Sequence, residues 1–293
     1  MKKRVLFILI ALVFALSLFS GCSASKYKDG VYFARDEIGE SWTSFVIVTV
    51  EKGKIIDAYW GGTNFVPRGD KRVLSESGAY GMVAYGNAAS EWHEQAQAAE
   101  AWLVKNQDPK AFEKLYSDAE GRTNALTTDS GASVSIHVSD FFSLVEKALA
   151  SSPVAAGNYG SVPVVTVKGE PSENGWQEMA EFIVANGTIV AVNFDALYTK
   201  EYVAEGEGAN AKYFKVDGDN ATALTKDQLK EAYGMTAAGS TLEWYQQAQL
   251  LEAYVLENQS IFSITDDGYP DGVSGVSVHA NGFYALFNTA FGK

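Results

Sequence analysis

The 293-residue sequence has one cysteine, Cys22, and only six prolines. Disulfide scaffolds, cysteine-rich zinc sites and iron–sulfur clusters each need more than one thiolate, so a single cysteine excludes all three. The sequence also lacks the glycine fingerprint of dinucleotide-binding folds, the P-loop and the nucleophile elbow of hydrolases. We therefore do not expect a self-sufficient dehydrogenase or hydrolase.

Basic residues are scarce as well, with 23 Lys and Arg against 36 Asp and Glu and a formal net charge of −13. An acidic surface without clustered basic side chains repels a phosphate backbone, so nucleic-acid binding is not expected. The length and the 47% hydrophobic content suit about two domains, each with a core of its own.

The one long apolar run lies at the N-terminus. Basic residues at positions 2–4 precede an apolar run at 5–19, and a Ser-Gly pair stands before Cys22. This order is typical of an export signal, and a small pair before a lone cysteine resembles the lipobox of bacterial lipoproteins. We predict a lipoprotein signal peptide at 1–21, a lipid on Cys22 and a location on the extracytoplasmic face of the cell membrane. The alternative is an uncleaved anchor with a chance cysteine, which leaves the same residues outside.

Three blocks of the sequence occur twice in the same order, which indicates tandem homologous domains. The matched blocks are 42–59 with 176–193, 79–82 with 232–235, and 91–101 with 243–253. A small-residue, proline-containing stretch at 150–157 separates the copies, as expected of a linker. We predict domains at 27–150 and 158–293, and call them repeat 1 and repeat 2.

Each repeat has the pattern of a β-hairpin followed by two helices. Gly53 and Gly187 lie between β-branched and aromatic runs, which predicts a hairpin turn at each. Both repeats then carry a Trp-x-x-Gln-Ala sequence with an apolar stripe of helical spacing. The stripe residues are Trp92, Ala96, Ala99 and Leu103 in repeat 1, and Trp244, Ala248, Leu251 and Val255 in repeat 2.

A second helix is predicted at the end of each repeat. In repeat 1 we expect it to begin near Ser139 and Asp140 as the N-cap, and in repeat 2 after Asn281. Its apolar residues are Phe141, Leu144, Val145 and Leu149, and in repeat 2 Phe283, Leu286 and Phe287. The predicted fold class is α+β, with two tandem domains that each have an antiparallel β-rich core, a Trp-x-x-Gln-Ala helix and a C-terminal helix.

Two loops rich in serine and glycine, at 127–137 and 271–279, precede these last helices. Hydroxyls and backbone N–H groups beside a helix N-terminus suit an anion such as a phosphate. Caps and turns have the same composition, so a purely structural role stays open for each loop.

The order of hairpin, Trp-x-x-Gln-Ala helix, Asp-x-x-Ser/Thr-Gly-Ala-Ser/Thr loop and terminal helix resembles the FMN-binding domain of bacterial lipoproteins that transfer electrons outside the cytoplasm. The resemblance covers nearly the whole mature chain, twice. In that family a flavin transferase uses FAD to attach FMN, through a phosphoester, to the last Ser or Thr of the motif. The resemblance therefore implies FMN as a covalent cofactor, and a flavin transferase and a membrane electron donor as partners.

Carried over to repeat 2, the resemblance implies that Ser277 is the acceptor. Asp271, Ser274 and Gly275 match the motif, whereas Val276 stands where the family has Ala.

Two alignments are open in repeat 1. The family's Ser-Gly-Ala-Ser step is intact and implies Ser133 as the acceptor, with Thr127 in place of the leading Asp. Aligning Asp129 with Asp271 makes Ser135 the acceptor but loses the Gly-Ala step. We prefer Ser133, because glycine lets the backbone approach a phosphate closely. The FMN-binding residues implied in repeat 1 are Asp129, Ser130, Gly131, Ala132 and Ser133.

Flat apolar walls for a flavin ring could come from Trp92 and Trp244 or from Tyr80 and Tyr233, although the tryptophans are also expected in the core. The histidines at 93, 137 and 279 lack nearby second ligands in the sequence, so we expect them to be structural.

The sequence predicts a membrane-anchored, extracytoplasmic flavoprotein that carries electrons between a membrane redox module and an external acceptor, rather than a turnover enzyme. The alternative is a flavin-free lipoprotein binding module that recognises a small ligand or a protein partner on the same fold.

Overall fold

The computed structural model describes residues 26–39, 41–64, 66–200, 202–205, 212–217, 220–222 and 225–292. The predicted signal peptide and Cys22 lie outside these ranges. Within them, no helix combines the length and the apolar character that crossing a bilayer requires.

Each repeat opens with a three-stranded antiparallel sheet whose strands follow chain order. The strands are β1 (Gly30–Arg35), β2 (Trp42–Glu51) and β3 (Lys54–Asn64) in repeat 1, and β4 (Val164–Lys168), β5 (Trp176–Ala185) and β6 (Thr188–Tyr198) in repeat 2. Both residues of the β2–β3 turn, Lys52 and Gly53, have positive φ, as do Asn186 and Gly187. Positive φ at both positions is the mark of a type I′ turn, so both predicted hairpins are confirmed.

Helices follow the sheet in each repeat. In repeat 1 they are α1 (Lys71–Glu76), α2 (Met82–Gly86), α3 (Trp92–Asn106), a 3-10 helix (Pro109–Leu115) and α4 (Val138–Leu149). In repeat 2 they are α5 (Lys226–Leu229), a 3-10 helix (Lys230–Tyr233), α6 (Trp244–Asn258) and α7 (Asn281–Phe291). Repeat 2 also has a small antiparallel sheet before α5, of β7 (Tyr202–Glu205), β8 (Lys212–Asp217) and β9 (Asn220–Thr222). The α+β class is confirmed.

The long helices α3 and α6 are the predicted Trp-x-x-Gln-Ala helices, and all eight stripe residues are buried. Each begins with a capping box, formed by Glu91 in α3 and by Glu243 in α6. Each ends at a glutamine with positive φ, whose side chain bonds both backbone groups of a strand residue. Gln107 accepts from the Ile55 N–H at 2.8 Å and donates to its carbonyl at 2.7 Å. These contacts fix the helix against the sheet.

The predicted N-cap of α4 at Ser139 and Asp140 is wrong by two to three positions. The helix begins at Val138, after His137. Val138 is fully buried, so the apolar stripe of α4 begins there and continues through Phe141 and Val145. Asp140 consequently lies in the first turn.

Each repeat has its own core between sheet and helices, and a third apolar cluster joins the repeats. It buries Phe45 of β2 with Ile183 and Ala191 of β5 and β6, on the sheet faces that point away from the helices. The linker is bonded to both repeats, since the Val154 N–H donates to the Val31 carbonyl at 2.7 Å and the Gly157 N–H donates to the Asn186 carbonyl at 2.9 Å.

Candidate functional site

In each repeat, a lysine ammonium lies over three aromatic rings, and the three rings come from matched positions. In repeat 1, Lys71 Nζ is 5.9, 5.0 and 4.7 Å from the ring centroids of Trp42, Tyr80 and Trp92. We call each arrangement a lysine cage. Contacts of this length between a cation and aromatic rings are attractive, and burial strengthens them.

The cage of repeat 2 has the same construction from matched positions. Lys226 Nζ lies 5.4, 5.2 and 5.0 Å from the centroids of Trp176, Tyr233 and Trp244. In both repeats the lysine is the first residue of a short helix, one tryptophan starts the middle strand and the other starts the long helix. The repeated sequence blocks therefore converge on one place in the fold.

Each cage has one carboxylate nearby, but the two carboxylates come from different elements. Asp140, in α4, opposes the lowering of the pKa of Lys71, which burial brings to about 8. In repeat 2 the matching helix residue is Gly282, and the carboxylate comes from Glu178 on β5. A Cβ on Gly282 would lie 1.4 Å from Glu178 Oε2, so the glycine leaves the space that the glutamate occupies.

Both cages border a cavity. The cavity of repeat 1 measures about 320 Å³, and its walls include Lys71, Tyr80, Trp92, Ile136 and His137. The cavity of repeat 2 measures about 470 Å³ and lies beside Trp176, Glu178, Lys226, Tyr233 and Gly282. Both volumes fall within the range of about 300–1,000 Å³ that is usual for small-molecule sites.

A buried glutamine of each long helix holds one serine of each candidate loop. Gln247 Oε1 accepts from the Ser277 N–H at 2.7 Å, from the Val278 N–H at 3.1 Å and from the Ser277 hydroxyl at 3.3 Å. Gln95 makes the same three contacts to Ser135 and Ile136, at 2.6, 3.2 and 3.3 Å. Both serines are exposed, although their backbone is fixed and each hydroxyl also donates to its glutamine.

This hydrogen-bond pattern pairs Ser135, and not Ser133, with Ser277. Ser133 instead forms an isolated β-bridge with Thr127. The intact Ser130-Gly131-Ala132 step lies within that turn, where Thr128 Oγ1 accepts from the Ala132 N–H at 3.1 Å. The serine of repeat 1 that is held as Ser277 is held is therefore the one that the alignment through Asp129 matches to it.

The loop that leads to the held serine differs in length between the repeats. The bridges Tyr116–Thr123 and Ile264–Pro270 close equivalent turns, in which Gly121 and Gly268 both have positive φ and accept an N–H from the start of the last helix. From there, eleven residues (124–134) lead to Ser135, but only six (271–276) lead to Ser277.

In repeat 2, the predicted motif residues run directly into the held serine. Asp271 is exposed, and its N–H donates to the Ser263 carbonyl at 2.8 Å. Gly275 has φ +87°, and a Cβ there would lie 3.2 Å from Leu250 Cδ1, so a side chain would crowd α6. Ser274 is exposed, whereas Val276 packs partly against the core.

The histidines take part in ordinary local contacts. His93 Nδ1 is 3.0 Å from Ser75 Oγ, His137 Nε2 is 3.5 Å from a Glu120 oxygen, and the His279 ring contacts Tyr269. In the described part of the chain, no three His, Cys, Asp or Glu side chains form a group that could hold a metal ion.

The sequence analysis missed Lys71, Lys226 and the role of Gln95 and Gln247. A signal for the glutamines was present, since they are the Gln of both Trp-x-x-Gln-Ala sequences. The lysines were harder to find, because different numbers of residues separate them from the next repeated block. Trp92 and Trp244 are buried, as expected, but also form walls of the cages.

No protein-family model matches the chain, and no curated protein is similar to it. The chain is similar to a protein from Clostridium thermocellum whose structure was determined by solution NMR. The two are 40% identical, the match covers 42% of this chain and 89% of that protein, and the TM-score is 0.30. At that TM-score the likeness carries no argument about fold or activity.

Proposed function

We propose that the protein is a membrane-anchored, extracytoplasmic flavoprotein that carries FMN on Ser277 through a phosphoester and passes electrons between a membrane redox module and an external acceptor. The observation that carries this proposal is the way Ser277 is held. Its N–H donates to the fully buried Gln247, the residue is exposed, and the Ser274-Gly275 step ends two positions before it. An exposed serine on a backbone held in this way is accessible to a transferring enzyme.

Repeat 2 supplies groups that suit the parts of FMN. A phosphate on this serine would lie four residues before the first residue of α7, where the positive end of the helix dipole favours an anion. Trp176 and Tyr233 offer aromatic surfaces to a flat ring, and Lys226 places a positive charge among them. A bound flavin supplies reversible electron and hydride transfer. The positive charge of Lys226, offset in part by Glu178, would favour the negative charge that a flavin ring gains on reduction.

Repeat 1 is a poorer acceptor on the same reasoning. Ser135 is held as Ser277 is, but Ala132 and Ser133 stand where repeat 2 has the Ser274-Gly275 step. Ser133 follows an intact Ser-Gly-Ala sequence but lies in a bridged turn and is not bonded to Gln95. We therefore propose one flavin per chain, attached in repeat 2.

In-gel flavin fluorescence tests the proposal, with the chain produced together with a flavin transferase and FAD. Wild type should fluoresce after denaturation, and Ser277→Ala should lose all of the signal. Ser133→Ala and Ser135→Ala are the matched controls and should keep it. Each change removes one exposed hydroxyl, which should cost about 1 kcal/mol of folding free energy or less.

A wild-type chain that shows no flavin fluorescence under these conditions would contradict the covalent flavin and favour a flavin-free binding module. The observation in favour of that second function is the cavity of repeat 1, which is shaped and walled independently of any acceptor serine. The proposed lipid anchor at Cys22 is shared by both functions.

A further inference from the structure

We propose that the cavity of repeat 1 binds a free, planar aromatic molecule that carries a negative charge. The inference concerns the repeat that we expect to remain unmodified, so it does not depend on a flavin at Ser277. It assigns to the two repeats different ligands on one scaffold.

The walls of this cavity suit a flat ring. The side chains of Trp60, Tyr80 and Trp92 line one part of it, and α2 supplies Met82 and Tyr85 from another. Aromatic walls on several sides favour a ligand that can stack or meet their edges. The volume of about 320 Å³ suits one small molecule and not a polymer.

The charge in the cavity suits an anion. Among the described residues, no salt bridge reaches Lys71 Nζ, which lies over the three rings of its cage. Asp140 also lines the cavity, but it is exposed to solvent. Burial of the Lys71 side chain lowers its pKa, as expected of an ammonium that loses hydration. An anion entering the cavity would provide the partner that the ammonium lacks.

Helix α2 is a feature of repeat 1 that repeat 2 replaces with a turn at 235–239. It lies between two residues with positive φ, Gly81 and Asn87. A Cβ on Gly81 would lie 2.5 Å from Tyr85 Cδ2, so the glycine lets the tyrosine ring lie against the backbone. Tyr85 is nevertheless 56% exposed, and because it lines the cavity it places uncovered aromatic surface there.

Repeat 2 does not offer the same site. Its lysine has Glu178 beside it on the strand, where repeat 1 has the uncharged Ser44. That carboxylate is half-buried and already compensates part of the positive charge of Lys226. An anionic ligand would therefore be attracted more weakly to this cavity. The proposed site is therefore specific to repeat 1.

Calorimetric titration with two probes of the same shape tests the proposal. The probes are naphthalene-2-carboxylate and its neutral amide, added to the full chain purified in detergent without flavin transferase. The carboxylate should bind at one site per chain and at least tenfold more tightly than the amide. Lys71→Met should reduce that ratio to near one. Lys226→Met, the matched change in repeat 2, should leave both affinities unchanged.

Tyr85→Ala should weaken both probes several-fold and leave their ratio intact, because it removes stacking surface but no charge. A merely structural role of Lys71 would weaken both probes alike and preserve the ratio. Equal affinities of the two probes for wild type, no saturable binding of either, or an unchanged ratio in Lys71→Met would each overturn the proposal. Because the protein in this experiment carries no flavin, none of these results bears on Ser277.

Discussion

Repeat 1 and repeat 2 each hold a lysine over three matched aromatic rings, but the carboxylate near that lysine comes from a different element in each repeat. Repeat 1 uses Asp140 on the last helix and has Ser44 on the strand, whereas repeat 2 uses Glu178 on the strand and has Gly282 on the helix. Each lysine keeps a carboxylate nearby, although the element that supplies it differs between the repeats. We propose that the side left open decides which ligand each cavity accepts.

A second pair of positions shows the same divergence. Glu100 and Glu252 both accept a backbone N–H from the third strand of their sheets at 2.7 Å. In repeat 1, Arg72 Nη1 lies 2.6 Å from Glu100 Oε1. In repeat 2, Asp227 occupies the position of Arg72. Burial raises the pKa of Glu252 to about 8, and the positive charge of Arg35 lowers it by less. The backbone contacts are kept although the charges around them have changed.

The largest expected effect comes from making the same change at these two glutamates. Glu100→Gln should destabilise the protein by about 3 kcal/mol, because it leaves the half-buried Arg72 without its closest partner. Glu252→Gln should stabilise it by about 1 kcal/mol at pH 8, because it removes a carboxylate whose charge is poorly compensated and keeps an acceptor for the Phe194 N–H. Urea unfolding at pH 8 measures both, and the same sign for the two variants would contradict the comparison.

A smaller effect is expected from moving the carboxylate of repeat 2 to its place in repeat 1. Gly282→Asp alone should cost about 2 kcal/mol, since the new side chain must displace Glu178 and adds a like charge beside it. Adding Glu178→Ser should recover most of that loss, because the double variant has the carboxylate arrangement of repeat 1. Thermal unfolding of the double-mutant cycle gives the coupling, and strictly additive effects would show that the exchange is coincidental.

The smallest expected effect is a dependence of stability on pH that arises mostly in repeat 2. Burial raises the pKa of Glu181 and Asp195 to about 7 and that of Glu252 to about 8, whereas in repeat 1 it raises the pKa of Glu100 to about 7. Between the unfolded and the folded pKa of such a carboxyl, the folded state binds more protons than the unfolded state, so stability falls as the pH rises. The melting temperature should therefore fall from about pH 5 to pH 8. Glu252→Gln should flatten this slope. A melting temperature that rises over the same interval would be inconsistent with buried, protonated carboxyls.

Periodicity was sufficient to predict the regular elements. The turns at Gly53 and Gly187 and the stripes that begin at Trp92 and Trp244 follow from local spacing, which a sequence displays directly. The start of α4 was missed because a Ser-Asp pair is a common N-cap, while burial of Val138 extends the helix past it. Tertiary packing overrode the local signal there.

The candidate site was only partly predictable. The repeated loops were recognised, but their alignment depended on Gln95 and Gln247, which contact residues 30 to 41 positions away in the chain. Lys71 and Lys226 meet rings that come from three separate segments, so no local pattern contains the cage. The sequence shows which segments occur twice, whereas the contacts show which residues of the two copies occupy equivalent positions.

The division of roles between the repeats is tested most directly by peptide mass mapping of the wild-type chain, produced with a flavin transferase and FAD. The account predicts one FMN phosphoester per chain, on the peptide that contains Ser277, and an unmodified peptide that contains both Ser133 and Ser135. An FMN on the repeat 1 peptide, or none on the Ser277 peptide, would contradict it.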